Sequence, residues 1–390
     1  MPTSQPRAAP VTDPPDTVVV VVTSPTKTVR AHVRGLVQRL LAGGVEVRLA
    51  GARAVLATFA DLLDVDEAGI VLPIGEELRP AHDLAAATTL RHALHARPTQ
   101  VVHAHGFRAG VVAALAVRLL RPRPALVTTW HALPSTGASG RVAVGAGARL
   151  VARASDVTLA PSADVLARSV AVGASRARLS PVAAPVLPGR RRDRDGLRDR
   201  IAAEVGLRPG VPWILAVGRI VPEKDHDLLL EAAARWLGLH PTPEVLLVGV
   251  GAAPAVARLR RTIAAGGLPV HLLGARDDIS ELMHASDVFV LTSRWEAPAL
   301  SVQEAMQAGL PVVATAVGGV PDLLGETGVL VPAGDLEAFA LEVASLLSDP
   351  PRAHGLARAA ADRARSLPDE DDVARDVVAA YAEARAARPG

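Results

Sequence analysis

Short runs of β-branched residues alternate along the chain with longer amphipathic stretches, and turn-forming residues separate the two. Val18–Val22 is an unbroken apolar run of the kind found in a buried parallel strand. After a short turn, apolar residues recur at helical spacing at Val29, Val33, Leu36, Val37, Leu40 and Leu41. Repetition of this order predicts parallel sheets covered by helices. In the first half the pattern predicts strands at 18–22, 45–49, 70–72, 101–103, 126–129 and 157–160 and helices near 84–96, 108–120, 141–154 and 162–172.

The alternation breaks at Pro185-Val-Leu-Pro188-Gly and resumes at Trp213. We interpret the Arg/Asp-rich stretch from Arg190 to Arg200 as a solvated linker and helix face, in preference to a basic binding patch. The second half predicts strands at 213–217, 245–248, 270–273, 288–291, 311–314 and 328–331, then helix from about Leu336 with a break near 366–368. The expected organisation is a disordered tail over 1–16, domains over 17–188 and 211–366, a linker over 189–210 and a final helix over 367–390.

Composition supports two domains and narrows the function. The 390 residues exceed what one hydrophobic core usually organises. The 42 Lys and Arg nearly balance the 40 Asp and Glu, and only 2% of residues are aromatic, so we exclude nucleic-acid binding. The absence of cysteine excludes disulfides, thiolate metal sites and a cysteine nucleophile. Because the run Val18–Val22 is too short for a signal peptide or a membrane span, we expect a cytoplasmic enzyme.

Two glutamates flank the predicted start of a helix in Thr292-Ser-Arg-Trp-Glu296-Ala-Pro-Ala-Leu-Ser-Val-Gln-Glu304. With Pro298 as the first helical residue, Glu296 stands just outside the helix N-terminus and Glu304 about two turns inside. Strand ends and helix N-termini bind anionic ligands in open α/β sheets, and carboxylates there can accept hydrogen bonds from sugar hydroxyls. The structural alternative stays open, since Ser301-x-x-Glu304 also fits a capping box.

A second candidate site is the loop Gly218-Arg219-Ile-Val-Pro-Glu-Lys224-Asp, which directly follows a predicted strand. Two cations at a strand end can hold a diphosphate, although arginine and lysine in loops are more often surface residues. Gly249-Val-Gly251 follows the next predicted strand and permits a ligand close to the backbone. Two glycines fall short of the dinucleotide-binding fingerprint.

Histidines lie at two predicted strand ends in the first half. His103 and His105 follow one strand, and His131 follows another in Thr128-Thr-Trp-His131. A lone histidine is usually structural, but two neighbouring strand ends that each deliver one make His131 a candidate site residue. No Gly-x-Ser-x-Gly turn occurs, so a serine-hydrolase triad has no support.

Acidic pairs that could hold a metal occur at Asp64/Asp66, Asp193/Asp195 and Asp225/Asp227. None directly ends an apolar strand. We interpret all three as solvated helix faces and expect no metal site.

In order and spacing, these segments resemble the retaining GT-B glycosyltransferases, also called glycosyl transferases group 1 or family 4. Gly218–Asp225 resembles the family's Gly-Arg–Lys segment, Leu272-Leu-Gly-Ala its nucleotide-base loop, and Glu296 to Glu304 its two-glutamate motif. The resemblance extends over about 211–345 and is fainter over 17–188. It implies an α/β protein with two Rossmann-like, doubly wound parallel-sheet domains facing across a cleft. The first would bind the acceptor and the second the nucleotide-sugar donor, and the final helix would cross back onto the first domain.

The resemblance also implies roles for individual residues. The diphosphate would lie on Arg219 and Lys224, the ribose on Glu304, and the transferred sugar near Glu296 and His131. His105 would join His131 on the acceptor side. Further donor contacts are implied at Gly249, Gly274, Ala275, Ala299 and Leu300.

The reaction implied is transfer of a hexose or amino-hexose from a nucleoside-diphosphate sugar to an acceptor hydroxyl, with retention. Because the acidic pairs lie away from apolar strand ends, we expect Arg219 and Lys224 to take the place of a metal, and we expect no other cofactor. Three segments differ from the family pattern: Ser24-Pro-Thr-Lys replaces a glycine-rich turn, Ala183-Ala184 replaces Asn-Gly, and Ala297-Pro298-Ala299 replaces Gly-aromatic-Gly. Two alternatives stay open. One is a GT-B protein that binds a nucleotide or pairs with an active subunit without catalysis, and the other is a nucleotide-sugar epimerase.

The first predicted helix carries a basic face formed by Lys27, Arg30, Arg34 and Arg39. This face could contact the inner surface of an anionic membrane, although a solvated helix face is the interpretation we prefer. We expect a monomer or a homodimer that binds a donor and an acceptor.

Overall fold

In the computed structural model, strands and helices alternate along the chain. The structure describes residues 14–23, 27–74, 80–131, 140–187, 193–296 and 299–388, with only the backbone of 27–28 and 140–143. The predicted tail up to residue 13, the loop 24–26, the side chain of Lys27, residues 188–192 and the pair Ala297-Pro298 therefore lie outside the described residues.

The chain divides into two compact units, the first formed by Met1–Ala183 with Pro368–Gly390 and the second by Ala184–Leu367. The first unit contains β1 (Thr17–Val22), α1 (Lys27–Ala42), β2 (Glu46–Gly51), α2 (Arg53–Leu56), α3 (Val65–Ala68), β3 (Gly69–Val71), α4 (Pro80–Ala96), β4 (Val101–His105), α5 (Phe107–Val117), β5 (Ala125–Thr129), α6 (Gly140–Ala154), β6 (Val157–Ala160), α7 (Ala163–Ala171) and β7 (Ala177–Leu179). The second contains α8 (Arg194–Val205), β8 (Trp213–Val217), α9 (His226–Trp236), β9 (Glu244–Val248), α10 (Ala253–Gly266), β10 (Val270–Gly274), α11 (Ile279–Ala285), β11 (Val288–Leu291), α12 (Leu300–Gln307), β12 (Val312–Thr315), α13 (Val320–Leu324), β13 (Val329–Val331), α14 (Leu336–Ser348) and α15 (Pro350–Ser366). The last helix, α16 (Glu370–Ala386), belongs to the first unit.

The first unit is built on a parallel sheet of seven strands in the order β3-β2-β1-β4-β5-β6-β7. Successive residues of β1 point to opposite faces, as the pleat requires. Val18, Val20 and Val22 enter a core shared with α1 and α16, while Val19 and Val21 enter a core shared with α4 and α5. The strand order reverses between β1 and β4, the position at which open α/β sheets bind ligands.

The final helix α16 completes one of these cores. Asp369 caps it by accepting a hydrogen bond from the Asp372 N–H at 2.8 Å. Its buried face includes Val373, Val377 and Tyr381, which recur every four residues and pack on the side of α1 and β5.

The second unit contains a parallel sheet of six strands in the order β10-β9-β8-β11-β12-β13. Its order reverses between β8 and β11. Alternate residues again fill two cores: Trp213 and Leu215 face one, while Ile214 and Ala216 face the other. Both sheets therefore have the doubly wound, Rossmann-like form.

Helix α8 lies inside the range 189–210, which we expected to be a linker with a solvated helix face, and it is packed more firmly than that interpretation implies. Leu197 and Ile201 are buried in the core of the second unit. Arg194 and Arg198 bind the carboxylate of Asp287 at 2.7 and 3.0 Å. Within this charged segment, Leu197 and Ile201 lie one helical turn apart on the same face. That apolar pair packs the helix onto the second unit.

The short elements α2, α3 and β7 were not predicted, because none carries an apolar run long enough to show a period. In the part of the chain that the structure describes, no helix is both long and apolar enough to cross a lipid bilayer.

Candidate functional site

Lys224 and Glu296 meet beyond the carboxyl ends of β8 and β11, the strands between which the second sheet reverses its order. Lys224 Nζ donates to Glu296 Oε1, and the two side chains are only 18% and 9% exposed. Ser293 Oγ donates to the same carboxylate oxygen at 2.6 Å. Two residues 72 positions apart in the chain thus form an ion pair at the edge where such sheets bind ligands.

The loops that carry this ion pair are tied to each other. Thr292 Oγ1 donates to the Lys224 carbonyl at 2.8 Å, and the Arg294 N–H donates to the Glu223 carbonyl at 2.8 Å. The guanidinium of Arg294 binds both oxygens of Asp225 at 2.8 and 3.0 Å. Asp225 itself has left-handed backbone angles, with φ at 47°. These bonds fix the backbone from which the Lys224 side chain projects.

Glu296 is also held through its backbone. Its carbonyl accepts a hydrogen bond from the Gly319 N–H at 3.1 Å. Gly318, at φ 53°, lies so close to that carbonyl that a β-carbon would overlap it. The turn before α13 therefore fixes the backbone from which the Glu296 carboxylate projects.

Three strand ends bring glycines together beside this loop. Gly249 N–H donates to the Gly274 carbonyl at 2.8 Å, and Gly218 N–H donates to the Val248 carbonyl at 2.9 Å. A β-carbon on Gly249 would overlap the carbonyl oxygen of Gly218. The predicted donor positions Gly249 and Gly274 thus lie side by side, and Ala275 follows them as an exposed residue.

Arg219 is exposed directly after β8, and among the described residues its guanidinium has no hydrogen-bond partner. His226 Nε2 donates to the Arg219 carbonyl at 3.0 Å. Burial lowers the pKa of His226 and outweighs the opposing effect of that hydrogen bond. The neutral imidazole, which we did not single out from the sequence, therefore anchors the backbone of the predicted phosphate-binding arginine.

The helix α12 corrects two expectations about the second glutamate. It begins at Leu300, so the half-buried Glu304 lies about one turn inside the helix and not about two. Ala299 stands at the N-cap and provides no side-chain hydrogen bond. Ser301 lies inside the first turn, so the capping-box interpretation is wrong. The side chains of Ala299 and Leu300 are buried, which leaves their backbone groups as the part that a donor could contact.

The predicted histidines of the first unit lie together in its interior. His103 bonds Tyr381 Oη through Nδ1 and Thr129 Oγ1 through Nε2, both at 2.8 Å. His105 Nδ1 lies 3.3 Å from His131 Nε2. Burial lowers the pKa of His103 to about 3 and holds the pKa values of His105 and His131 well below the usual range. These imidazoles are therefore neutral at ordinary pH.

The acidic pairs have structural partners. Asp64 accepts hydrogen bonds from the backbone at the start of α3, and Asp193 accepts one from the Gly196 N–H at 2.8 Å. Asp225 binds Arg294, as described above, and Asp227 binds Arg258 at 2.6 Å.

The basic face of α1 is partly neutralised. Arg34 forms an ion pair with Asp61, and Arg39 binds Glu370 at 3.3 Å. Two of the four cations on that helix thus already have carboxylate partners within the first unit.

Two family models match the chain in sequence. The glycosyl transferase 4-like domain matches residues 27–185, and glycosyl transferases group 1 matches residues 198–363. The mannosyltransferase LpsB of lipopolysaccharide core biosynthesis in Rhizobium meliloti is 33% identical over 168 residues, which cover 40% of this chain and 48% of that protein. The sulfoquinovosyl transferase SQD2 of Arabidopsis thaliana is 32% identical over 214 residues, which cover 52% of this chain and 39% of that protein. The chain thus spans less than half the length of either relative.

Among solved structures, HepE from Anabaena in complex with UDP and glucose has a TM-score of 0.77 to this chain. The two are 20% identical, and the match covers 94% of this chain and 99% of HepE. At this identity the likeness concerns the fold. With two matched domains in sequence order, each a doubly wound parallel sheet, the chain belongs to the GT-B glycosyltransferases.

Proposed function

We propose that the chain transfers a hexose or amino-hexose from a nucleoside-diphosphate sugar to an acceptor hydroxyl, with retention and without a divalent metal. The observation that carries the proposal is the Lys224–Glu296 ion pair at the reversal point of the second sheet. A cation beside a carboxylate matches what such a donor presents, a diphosphate beside sugar hydroxyls. The name of LpsB, a mannosyltransferase, and the UDP and glucose bound to HepE support this class of donor.

Lys224 can hold a phosphate without leaving Glu296. An ammonium has three N–H donors, and Glu296 takes one of them. Arg219, exposed at the end of the same strand, supplies the second cation. The N-terminus of α12 adds partial positive charge on the side of Glu296.

The reaction breaks the bond between the anomeric carbon and the diphosphate oxygen, and the acceptor oxygen bonds to the same face of that carbon. The departing diphosphate oxygen accepts the proton of the acceptor hydroxyl. Arg219 and Lys224 stabilise the charge that develops on the diphosphate, and Glu296 orients the sugar without attacking it. We assign His105 and His131 to the acceptor side, near the transferred sugar.

The decisive assay compares turnover in chelator with turnover in added magnesium or manganese. We expect wild-type turnover to be equal in both, and Lys224→Ala to lower it by about a hundredfold or more, the scale of losing one fixed donor to the transition state. Arg258→Ala is the control, because Arg258 is an exposed cation of the same unit that binds Asp227. Activity that chelator abolishes and metal restores would overturn the metal-free reaction. Normal turnover in Lys224→Ala would overturn the assigned role.

The stereochemistry and the alternatives are tested on the product. NMR of freshly formed product should show the donor's anomeric configuration, and inversion would refute the proposed mechanism. Tight nucleotide binding without turnover across a broad donor panel would indicate a binding protein. An altered free sugar formed without acceptor would indicate an epimerase.

A further inference from the structure

Three imidazoles from three different elements surround one point inside the first unit. His32 lies on α1, His105 ends β4, and His131 lies two residues beyond β5. Their ring centroids are 5.4, 5.4 and 5.6 Å apart. One ring nitrogen from each lies within 4.8 Å of the other two, and all three residues are buried.

These distances are close to those around a bound metal ion. Zinc–nitrogen bonds of about 2.0–2.1 Å at tetrahedral angles put ligand nitrogens about 3.3–3.4 Å apart and ring centroids about 5.2 Å apart. His105 Nδ1 and His131 Nε2 stand 3.3 Å apart and share a hydrogen bond, which a metal bound to both nitrogens would replace. We propose that His32, His105 and His131 form a binding site for Zn²⁺ or a neighbouring late first-row divalent cation, with the fourth position left for a solvent molecule.

The hydrogen bonding of the cluster supports this assignment over core packing. His32 Nε2, His105 Nε2 and His131 Nδ1 are buried and have no hydrogen-bond partner among the described residues. His103 lies beside them, yet both of its ring nitrogens are bonded, to Tyr381 and Thr129. Buried polar atoms are rarely left without a partner. His105 Nδ1 and His131 Nε2 are bonded only to each other, and His32 Nε2 is unbonded, so among the described residues these nitrogens have no partner outside the cluster.

The donor atoms of the cluster indicate which metals it could bind. No cysteine or carboxylate belongs to the cluster within the described part of the chain. A set of three imidazoles suits zinc, copper or nickel and disfavours magnesium or calcium, which take oxygen ligands.

A metal bound by these histidines would change the transferase activity. The metal site does not depend on the proposed function, but this effect on activity rests on it. A metal on His131 Nε2 would withdraw this nitrogen from the transferred sugar. Zinc would then lower turnover, whereas chelator would not.

The test is direct binding of metal to the 390-residue chain, without an affinity tag and after treatment with chelator. Cobalt(II) is the probe, because its visible absorption is intense in four-coordinate sites and weak in six-coordinate ones. We expect one equivalent of cobalt to give the intense band and zinc to displace it. His32→Ala should weaken binding by about a hundredfold or more, above the usual 10- to 100-fold cost of losing an outer partner of a ligand. His92→Ala, which removes an exposed histidine from α4, should change nothing.

A second variant covers the case in which His32→Ala fails to fold. The chain has no cysteine, so His32→Cys introduces a single thiol. If residue 32 touches the metal, the thiolate must add a sulfur-to-cobalt charge-transfer band in the near ultraviolet. Absence of that band in a folded variant, a weak six-coordinate spectrum in the wild type, or equal losses in His32→Ala and His92→Ala would each overturn the proposal.

Discussion

At the scale of single residues, Glu296 depends on a glycine more than twenty positions away. The Gly319 N–H binds the Glu296 carbonyl, and Gly318 leaves no room for a side chain beside it. We therefore expect Gly318→Ala to lower stability by about 3 kcal/mol or more, because overlap with that carbonyl adds to the roughly 1–2 kcal/mol of left-handed strain. Urea unfolding at constant m-value measures the loss, and donor turnover should fall with it.

Gly334→Ala is the matched control for this substitution. Gly334 has φ at 80°, but a β-carbon there meets nothing within 4 Å. Its replacement should cost only the strain, about 1–2 kcal/mol. Equal losses in the two variants would show that backbone strain alone, and not the contact with Glu296, accounts for the effect.

The second glutamate gives a prediction that separates binding from folding. If Glu304 binds the ribose, Glu304→Gln weakens a charge-assisted hydrogen bond that contributes roughly 1.5–3 kcal/mol, and donor affinity should fall by about tenfold. Stability should stay within about 0.5 kcal/mol, because Ala299 and not Ser301 stands at the N-cap. Calorimetric titration with nucleotide sugars measures the first quantity and urea unfolding the second.

Ser301→Ala serves as the control on the same helix turn. It should leave both donor affinity and stability unchanged within about 0.5 kcal/mol. A stable Glu304→Gln variant with unchanged affinity would refute the ribose role. A loss of stability in Ser301→Ala would contradict the assignment of Ala299 as the N-cap.

The sequence pointed to Lys224 and Glu296 but not to their contact. Each follows a recognisable strand, yet their meeting depends on β8 pairing with β11 on one edge, while β9, the next strand in sequence, pairs with its other edge. Strand order depends on how helices pack on both faces of the sheet. The local sequence pattern carries no information about that packing. Two single polar residues also support the site, Ser293 in the loop after β11 and His226 at the start of α9, and neither belongs to a periodic pattern that could have marked it.

At the scale of elements, α16 carries part of the first unit's core. Tyr381 is fully buried, and its hydroxyl bonds His103. We expect Tyr381→Ala to cost about 3–5 kcal/mol, the range for truncating a large buried aromatic residue. Hydrogen exchange followed by mass spectrometry should show faster exchange in the first unit and unchanged exchange in the second.

Tyr381→Phe isolates the hydroxyl from the ring. It should cost about 1–3 kcal/mol, since it keeps the packing but leaves the buried His103 Nδ1 without its hydrogen-bond partner. A Phe variant as unstable as the Ala variant, or faster exchange confined to the second unit, would contradict this account of α16.

Elements were predictable where apolar runs are long and uninterrupted. The strands β8 and β11 match the predicted bounds, because turns limit each run on both sides. The strand β7 has three residues, two half-buried and one exposed, so no apolar run marks it. Helix α8 was expected to be a solvated helix face within a linker, because arginines and aspartates surround its two buried residues. The start of α12 was misplaced because the expectation relied on Pro298 alone.

At the scale of the whole molecule, arginine supplies almost all of the basic side chains and lysine very few. Of the 42 basic residues, only Lys27 and Lys224 are lysines. The surface ion pairs described above all use arginine, whose planar guanidinium suits exposed carboxylates. The ammonium of Lys224 instead occupies a partly buried position against Glu296. A compact point charge fits a narrow site on a diphosphate, where a planar fork would need more room.

This scarcity permits a test on the intact wild-type protein. Amine-reactive acetylation should modify Lys27, Lys224 and the N-terminus, and peptide mass spectrometry can follow each rate separately. If Lys224 holds the diphosphate, a nucleoside diphosphate at 100 times its dissociation constant leaves about 1% of the site free and should slow acetylation of Lys224 about a hundredfold. Lys27 should react at an unchanged rate and serves as the internal control.

The same ligand should stabilise the protein by about 2.7 kcal/mol. Stabilisation without protection of Lys224 would place the nucleotide elsewhere, and equal slowing at both lysines would reveal an effect on the reagent. Protection of Lys224 alone would place the diphosphate at the ion pair, whatever sugar the donor carries.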